Sequence, residues 1–383
     1  MEENTYPQLQ LSVKELKHIL VTTGDFLHIT RSHEYTMPAF SFDVTCKHSL
    51  SKSKVSIPNT GIILFEPLAN RSNEKLNLSI KNIVISCAIH GNETAPIEIC
   101  NELIKQLVLG DIHLEHRVLF LIGNPPAVNL NKRFVEENLN SVFSNSHLFK
   151  KEEIRGFKNK ERERALLLEN VVKDFYLTNT VQGSFKQKNY EINRFHFDLH
   201  TAIRCSKYEK FAIYPYLHNK VIEKTELQFL LACDINTILF SKSPSTSFCY
   251  YSSNTFGAKS VTIELGKVKP FGQNEMDKFQ NIKSSLISLI TQKSVNFKTY
   301  NKNDFNFYQF FQVIIKKNKY FKLNFATDIA NFTEFTAGSL IATDGEREIK
   351  TLKKGEAVVF PNAKVALGQR ALLTVVPVDV YAI

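Results

Sequence analysis

Two histidines and a glutamate stand where the ligands of a metal ion would be expected, at the ends of apolar segments. His90 and Glu93 lie three residues apart, directly after the β-branched run 83–89, and His200 ends the second apolar run 195–200. Active sites of open α/β sheets form at the carboxyl ends of strands. Two imidazoles and one carboxylate can hold a catalytic Zn²⁺ and leave a position for water. The three residues together predict a zinc site, whereas His90 and Glu93 alone would equally describe a polar loop at a helix start.

Two further carboxylates belong to predicted strands. Asp198 lies two residues before His200, where it could orient that imidazole or, alternatively, face solvent at the strand edge. Glu264 ends the β-branched run 260–264, and a carboxylate on a buried strand is costly unless it has a partner or a role. Beside a zinc-bound water, Glu264 would be the general base that later passes the proton to the leaving amine.

The elements that must position these residues alternate between strands and helices. The predicted strands are 83–89, 117–122, 195–200, 211–214, 237–240 and 260–264. The predicted helices are 95–109, 161–176 and 275–292. This alternation predicts an α/β domain with a largely parallel or mixed sheet flanked by helices.

The pattern changes after residue 295. Short β-like runs recur at about 8–12 residues over 309–380, with turn signals at Gly338, Gly345 and Gly355 between them. We therefore expect an α/β catalytic domain over residues 1–300, whose first 60 residues carry no clear assignment. A smaller all-β domain is expected over residues 301–383.

Composition excludes several classes of protein. The chain has 383 residues, 43% of them hydrophobic, which argues against global disorder. The net charge of +10 is spread thinly, without a basic stripe that carries regularly spaced aromatic residues, so we expect no nucleic-acid partner. Nucleic-acid binding stays open as an alternative that predicts salt-sensitive retention on DNA.

The cysteines and the apolar runs indicate the compartment. Six cysteines lie far apart without a CxxC pair, which suits free thiols in a reducing compartment. The start of the chain lacks a signal-peptide pattern, and the longest apolar runs are far below the roughly 18–20 residues that span a bilayer. These features predict a soluble cytoplasmic protein without a membrane partner.

Several motifs, in one order, resemble the succinylglutamate desuccinylase and aspartoacylase family of zinc carboxypeptidase-like amidohydrolases. The matching segments are His90-Gly-Asn-Glu-Thr-Ala-Pro96, Gly123-Asn-Pro-Pro-Ala127, Asp198-Leu-His-Thr-Ala-Ile-Arg204, Glu264-Leu-Gly-Lys267 and Pro270-Phe-Gly-Gln-Asn274. Segments 344–346, 360–362 and 365–368 fit as well, so the resemblance runs from about residue 55 to the end. It implies the family's zinc carboxypeptidase-like mixed sheet with a smaller β-domain.

The resemblance also implies roles for individual residues. His90, Glu93 and His200 would bind one Zn²⁺ per chain. Glu264 would activate the water, and Arg133 would polarise the scissile amide carbonyl. A fixed cation at that place stabilises the oxyanion of the tetrahedral intermediate.

Substrate recognition is the part of the resemblance in which this sequence differs from the family pattern. Asn140 and Arg204 would hold the substrate, Arg204 through a bidentate contact to a carboxylate. However, Asn138 and Ser141 stand where the family has Asp and Arg. A serine cannot supply a charge-assisted fork, and the loss of such a contact costs about 1.5–3 kcal/mol.

The function implied by the resemblance is zinc-dependent hydrolysis of N-succinyl-L-glutamate to succinate and L-glutamate, a step of arginine breakdown. The partner would be this small anionic acyl-amino acid. The Asp198–Arg204 motif favours the desuccinylase branch. Three alternatives stay open: an amidohydrolase for another N-acyl amino acid or small peptide, a weakly active relative, and a non-catalytic zinc- or ligand-binding relative. The oligomeric state is open, with a homodimer as one option.

Overall fold

The structure is a computed structural model, and it describes residues 6–68, 80–144, 159–178, 193–218 and 220–379. The chain divides into two compact units. The first unit is made of Met1–His200, Ser245–Val261 and Lys269–Asn296, and the second is made of Thr201–Pro244, Thr262–Val268 and Phe297–Ile383. The second unit thus takes two internal segments from the predicted catalytic part. The predicted boundary near residue 300 stays a prediction.

The N-terminal part, which the sequence left unassigned, forms two helices and three strands. These elements are α1 (Val13–Thr23), α2 (Phe26–Ser32), β1 (Phe40–Thr45), β2 (Lys52–Asn59) and β3 (Ile62–Leu68). A capping box fixes the start of α1, because the Ser12 and Glu15 side chains each bind the other's backbone N–H. The helix ends at Gly24, whose φ of 69° suits a residue without a Cβ.

Three strands that the sequence predicted complete the sheet of the first unit. They are β4 (Asn82–Cys87), β5 (Arg117–Ile122) and β6 (Arg194–Ala202). The strand order is β1-β2-β3-β5-β4-β6, antiparallel up to β5 and parallel for the pairs β5–β4 and β4–β6. Every residue of β4 and β5 is buried, as the continuous apolar runs predicted.

The described residues contain six further α-helices. They are α3 (Thr94–Val108), α4 (Pro125–Asn129), α5 (Lys160–Leu177), α6 (Lys224–Ala232), α7 (Phe248–Phe256) and α8 (Gln280–Thr291). All except α6 belong to the first unit. The predicted helix 275–292 begins with a 3₁₀ turn, Met276–Phe279, before α8. Among the described residues, no helix is long and apolar enough to cross a membrane.

The remaining strands are β7 (Phe211–Tyr214), β8 (Thr237–Phe240), β9 (Lys259–Lys267), β10 (Asn306–Ile315), β11 (Lys322–Leu323), β12 (Thr333–Glu334), β13 (Leu340–Asp344), β14 (Arg347–Lys350), β15 (Ala357–Val359) and β16 (Arg370–Pro377). In the second unit, β7 pairs with the end of β9 antiparallel and with β8 parallel, and β8 pairs with β10. β10 pairs antiparallel with β16, β16 with β15, and β15 with β12. A separate sheet has the order β11-β13-β14.

Each unit has its own hydrophobic core. In the first, Val84, Leu119, Val172 and Phe248 belong to one buried cluster that joins sheet and helices. In the second, Phe211 and Val375 belong to one cluster, and another surrounds Ile341. All six cysteines lie in the described residues, and all are free thiols, as their spacing predicted.

In the segment that follows β4, there is no room for a side chain at Gly91. Ala88 has a φ of 54°, a strained backbone for a residue with a Cβ, and redirects the chain at the end of β4. A Cβ added to Gly91 would lie 2.1 Å from the carbonyl carbon of Ala127 and 2.3 Å from the amide nitrogen of Val128. The contact is with backbone of α4, so only glycine fits next to His90.

We therefore expect Gly91→Ala to lower the free energy of unfolding by about 3 kcal/mol or more, because backbone atoms cannot rotate away from the added methyl group. Gly257→Ala is the matched control. Gly257 has a φ of 66°, but nothing lies within 4 Å of its added Cβ, so its cost should be only about 1–2 kcal/mol. Denaturant unfolding measures both. A loss at Gly91 no larger than that at Gly257 would contradict the steric argument.

Candidate metal centre

The first unit brings His90, Glu93 and His200 together at the ends of β4 and β6. Each offers one ligand atom, these atoms all lie within 4.8 Å of one another, and the three side chains are buried. Oε1 of Glu93 lies 2.9 Å from Nδ1 of His90, and Oε2 lies 3.0 Å from Nδ1 of His200. The predicted ligands therefore form one buried group.

The ring nitrogens of the two histidines are used in a consistent way. Both Nδ1 atoms face Glu93, whereas Nε2 of His90 lies 2.9 Å from Oδ1 of Asn138 and Nε2 of His200 lies 2.9 Å from Oδ2 of Asp198. A metal-binding histidine commonly donates its other N–H to such an acceptor, which fixes its orientation. This pattern would leave both Nδ1 lone pairs available on the Glu93 side.

Nδ1 of His90 provides a test of whether the group suits a metal ion. Its 2.9 Å approach to Glu93 lacks hydrogen-bond geometry, and the described residues offer this buried nitrogen no other hydrogen-bond partner. A buried polar atom without a partner is costly. A cation between the donor atoms would satisfy it, and a donor set of two imidazoles and one carboxylate fits Zn²⁺.

The electrostatics of the group also favour a cation. Burial alone would raise the pKa of Glu93, but the imidazoles of His90 and His200 hold it well below its usual range. Burial lowers the pKa of His90, so its imidazole tends to be neutral. Burial alone would lower the pKa of His200 too, but Asp198 and Glu93 raise it well above its ordinary value. Two buried carboxylates thus attract positive charge to this place.

Asp198 has the first of the two roles that the sequence left open. Its side chain is fully buried rather than exposed at a strand edge, and its Oδ2 binds His200. Burial alone would raise the pKa of Asp198, but His200, together with His196 and the Ser86 hydroxyl, lowers it below its usual value. Asp198 therefore orients the His200 imidazole as an ionised acceptor.

Arg133 contacts the same group. Its Nη1 donates to Oε1 of Glu93 at 2.7 Å, and its backbone carbonyl accepts from the N–H of Gly91 at 3.2 Å. One third of the Arg133 side-chain surface is exposed. Glu93 takes one of the five N–H donors of the guanidinium, so other donors can serve a ligand.

The first turn of α5 holds the loop that carries Arg133, which the sequence did not reveal. Oε1 of Glu161, whose side chain is buried, accepts from the backbone N–H of Val135 at 2.7 Å and from Nδ2 of Asn124 at 3.1 Å. Glu137 receives a bidentate contact from Arg162, with both distances 2.7 Å. A glutamate in a charged helical run looks solvent-exposed in the sequence, and only the tertiary fold shows that Glu161 is buried.

The segment that departs from the family lies next to the metal centre. Oδ1 of Asn138 faces His90 and also accepts from the backbone N–H of Asn140 at 3.1 Å. The side-chain oxygen of Asn140 accepts from the backbone N–H of Phe248 at 3.0 Å, so this predicted substrate ligand also fixes the start of α7. Ser141 is exposed. Asn138 thus contacts a predicted metal ligand.

Glu264 and Arg204 belong to the second unit. Glu264 is buried on β9, opposite Phe211 of β7. The guanidinium of Arg204 donates from Nε to the carbonyl of Pro361 at 2.8 Å and from Nη1 to the carbonyl of Thr327. In this structure Arg204 therefore binds backbone of its own unit, and its predicted contact with a substrate carboxylate stays a prediction.

This chain is similar to known proteins over most of its length. Residues 79–290 match the family described as the succinylglutamate desuccinylase/aspartoacylase catalytic domain, and residues 303–378 match the AstE/AspA barrel-sandwich hybrid domain. The succinylglutamate desuccinylase of Idiomarina loihiensis is 43% identical over 355 residues, 93% of this chain and 96% of that protein. The corresponding protein of Pseudoalteromonas atlantica is 44% identical over 355 residues, 92% of this chain and 94% of that protein.

A comparison with solved structures shows that a known desuccinylase has the same fold. The succinylglutamate desuccinylase of Vibrio cholerae matches with a TM-score of 0.76 at 29% identity, over 92% of this chain and 95% of that chain. The chain belongs to the succinylglutamate desuccinylase/aspartoacylase family. The predicted fold class, a mixed α/β catalytic domain with a C-terminal all-β domain, is confirmed.

Asn138 should tune the affinity of the centre for a cation. We expect Asn138→Asp to tighten Zn²⁺ binding by about 10-fold, because a carboxylate accepts the Nε2–H of His90 more strongly and makes Nδ1 a better donor. Competition with a chromogenic chelator measures the affinity. Asn254→Asp, at an exposed position of α7, adds the same charge as a control and should have no effect. Equal affinities for the wild type and Asn138→Asp would contradict the role of this contact.

Proposed function

We propose that this chain is a zinc-dependent amidohydrolase that splits N-succinyl-L-glutamate into succinate and L-glutamate. The observation that carries the proposal is the buried group of His90, Glu93 and His200, with Arg133 against it. Relatives named succinylglutamate desuccinylase, at 43–44% identity over nearly the whole chain, support the substrate. The proposal includes a place in arginine breakdown and in the cytoplasm, with no nucleic-acid or membrane partner.

One Zn²⁺ per chain would be held by His90, Glu93 and His200. When bound, it would supply Lewis acidity toward the amide carbonyl and lower the pKa of a water molecule. Asn138 and Asp198 would keep the two imidazoles in the tautomer that presents Nδ1. The burial of these side chains would keep competing water away from the ligands.

The chain's own residues would move the proton and balance the charge. The Glu264 carboxylate would take a proton from the attacking water and then give it to the amide nitrogen as the bond to succinate breaks. The Arg133 guanidinium would donate to the carbonyl oxygen as negative charge develops there, since such fixed donors act most strongly in a water-poor site. Both roles rest on the family resemblance.

Substrate recognition is where a second candidate has support. The substrate is an anion with carboxylates at both ends, yet Ser141 occupies the place of the family's arginine. Asn140 would still lie near the substrate, and Arg204 would have to leave its carbonyl partners to bind a carboxylate. The alternative is therefore hydrolysis of another N-acyl amino acid, or weak activity on succinylglutamate.

A substrate panel separates these candidates. Zinc-loaded protein is assayed with N-succinyl-L-glutamate, N-acetyl-L-aspartate and N-acetyl-L-glutamate, and the release of the free amino acid is measured. We expect the highest kcat/KM with succinylglutamate, loss of activity with a chelator, and recovery when Zn²⁺ is added back. A clear preference for another acyl-amino acid would support the alternative, and no hydrolysis of any amide would remove the enzyme assignment.

The general base can be tested separately from the metal. Glu264→Gln should lower kcat by about 10²–10⁴-fold, because the amide keeps the shape of the side chain but cannot take a proton. Its zinc content should equal that of the wild type. Glu275→Gln is the matched control, because Glu275 is an exposed carboxylate that forms ion pairs with Lys269 and Lys278 at the surface. A kcat of Glu264→Gln within a few-fold of the wild type would assign the base to another residue.

A further inference from the structure

We propose that Ser86, His196 and Ser252 form a buried hydrogen-bond chain that holds Asp198 against His200 and thereby sets how strongly the centre binds its cation. The inference rests on the proposed metal centre. It assigns positioning roles to three residues that neither the motifs nor the mechanism uses. His196 in particular has no ligand-like context in the sequence.

The contacts are continuous from α7 to the metal centre. Oγ of Ser252 lies 2.8 Å from Nδ1 of His196, and Nε2 of His196 lies 2.8 Å from Oγ of Ser86. The Ser86 hydroxyl donates to Oδ1 of Asp198 at 2.5 Å, and Oδ2 of Asp198 binds Nε2 of His200 at 2.9 Å. Every one of these residues belongs to the first unit.

The fold explains why these side chains meet. Successive side chains of a strand point to opposite faces, so His196, Asp198 and His200, two residues apart on β6, lie on one face. The parallel register of β4 and β6 places Ser86 opposite Asp198. Ser252 lies on α7, and its hydroxyl contacts the His196 ring on the same face. One strand therefore carries a metal ligand, its carboxylate partner and the histidine that braces that partner.

The direction of each hydrogen bond follows from the number of protons available. A serine hydroxyl has one proton, and Ser86 gives it to Asp198, so Ser86 can only accept from His196. His196 must then carry its proton on Nε2 and accept at Nδ1, which makes Ser252 the donor there. Burial lowers the pKa of His196 to about 4, which agrees with a neutral ring that has one N–H. Both oxygens of Asp198 are thus supplied with a donor.

Burial makes the chain matter energetically. The exposed fraction is 0% for Ser86, His196, Asp198 and Ser252, so no solvent replaces a missing partner. The removal of one hydroxyl would leave an oxygen of Asp198 and an N–H of His196 unpaired, and each unpaired buried group costs about 1–3 kcal/mol. Burial also excludes a nucleophilic role for these serines, although serine, histidine and aspartate occur together here.

The main test is Zn²⁺ affinity, measured by chelator competition, together with the visible spectrum of the Co²⁺-substituted protein, which reports ligand geometry. We expect Ser86→Ala to weaken Zn²⁺ binding about 10-fold and to change the Co²⁺ spectrum, because Asp198 loses the donor that fixes it. Ser86→Thr keeps a hydroxyl and should restore much of the affinity. His196→Phe should weaken binding about 3–10-fold, and the double variant Ser86→Ala/His196→Phe should be far from additive.

Ser260→Ala is the matched control, because Ser260 is a buried serine of the first unit whose hydroxyl donates to the nearby carbonyl of Ala258. It should lower thermal stability but leave the Zn²⁺ affinity and the Co²⁺ spectrum unchanged. If the wild type binds no Zn²⁺, the proposed metal centre and this inference fail together. If the wild type binds Zn²⁺ and Ser86→Ala weakens binding no more than Ser260→Ala, only this inference fails.

Discussion

The first unit depends on the buried carboxylate of Glu93. A carboxylate that loses its water costs several kcal/mol unless opposite charge and hydrogen bonds compensate it. Here Oε1 accepts from Arg133 and lies 2.9 Å from Nδ1 of His90, and Oε2 lies 3.0 Å from Nδ1 of His200. These partners are useful only if they stay in place, so each of them needs its own support. The arrangement around Glu93 is therefore a series of fixed contacts rather than three ligands alone.

The contacts that hold the partners of Glu93 in place come from separate parts of the chain. They explain why the backbone is strained or crowded at a few positions. The backbone of Ala88 is strained and Gly91 has no room for a side chain, because His90 must turn toward Glu93 directly after β4. The first turn of α5 contributes Glu161 to hold the loop of Arg133. β6 contributes Asp198 on the same face as His200. Stability is thus given up at a few positions where geometry is needed, as is common at functional sites.

The sequence was sufficient for the central buried strands and for the residues with chemically distinctive side chains. Continuous apolar runs predicted β5 with its exact bounds and β4 with an end two residues beyond Cys87, because strands buried on both faces have a strong pattern. The grouping of His90, Glu93 and His200 followed from the rule that strand ends share an edge. These predictions needed no knowledge of which strands are neighbours.

What the sequence could not provide were contacts that depend on tertiary packing. Glu161 looks like one charge among many in a helix, and its burial becomes visible only when the loop 133–138 packs on α5. Ser86 and His196 are ordinary residues until the register of β4 against β6 is known. We expected Arg204 to bind a carboxylate, but its guanidinium donates to backbone carbonyls of its own unit. A sequence motif does not show that such carbonyls compete for the same donors. Residues that act through others are the ones that sequence patterns miss.

Asn138 and Ser141 bear on the charge of the centre as a pair. The resemblance implies Asp and Arg at these positions, whereas this chain has two neutral side chains, so the difference amounts to one negative and one positive charge. Their long-range effect on an approaching anion therefore nearly cancels, because the combined field of two neighbouring opposite charges falls off faster with distance than the field of a single charge. Only the short-range fork of the arginine is lost. Under the proposed function, the two differences should consequently alter which acyl-amino acid fits the site more than they alter how strongly the site attracts anions.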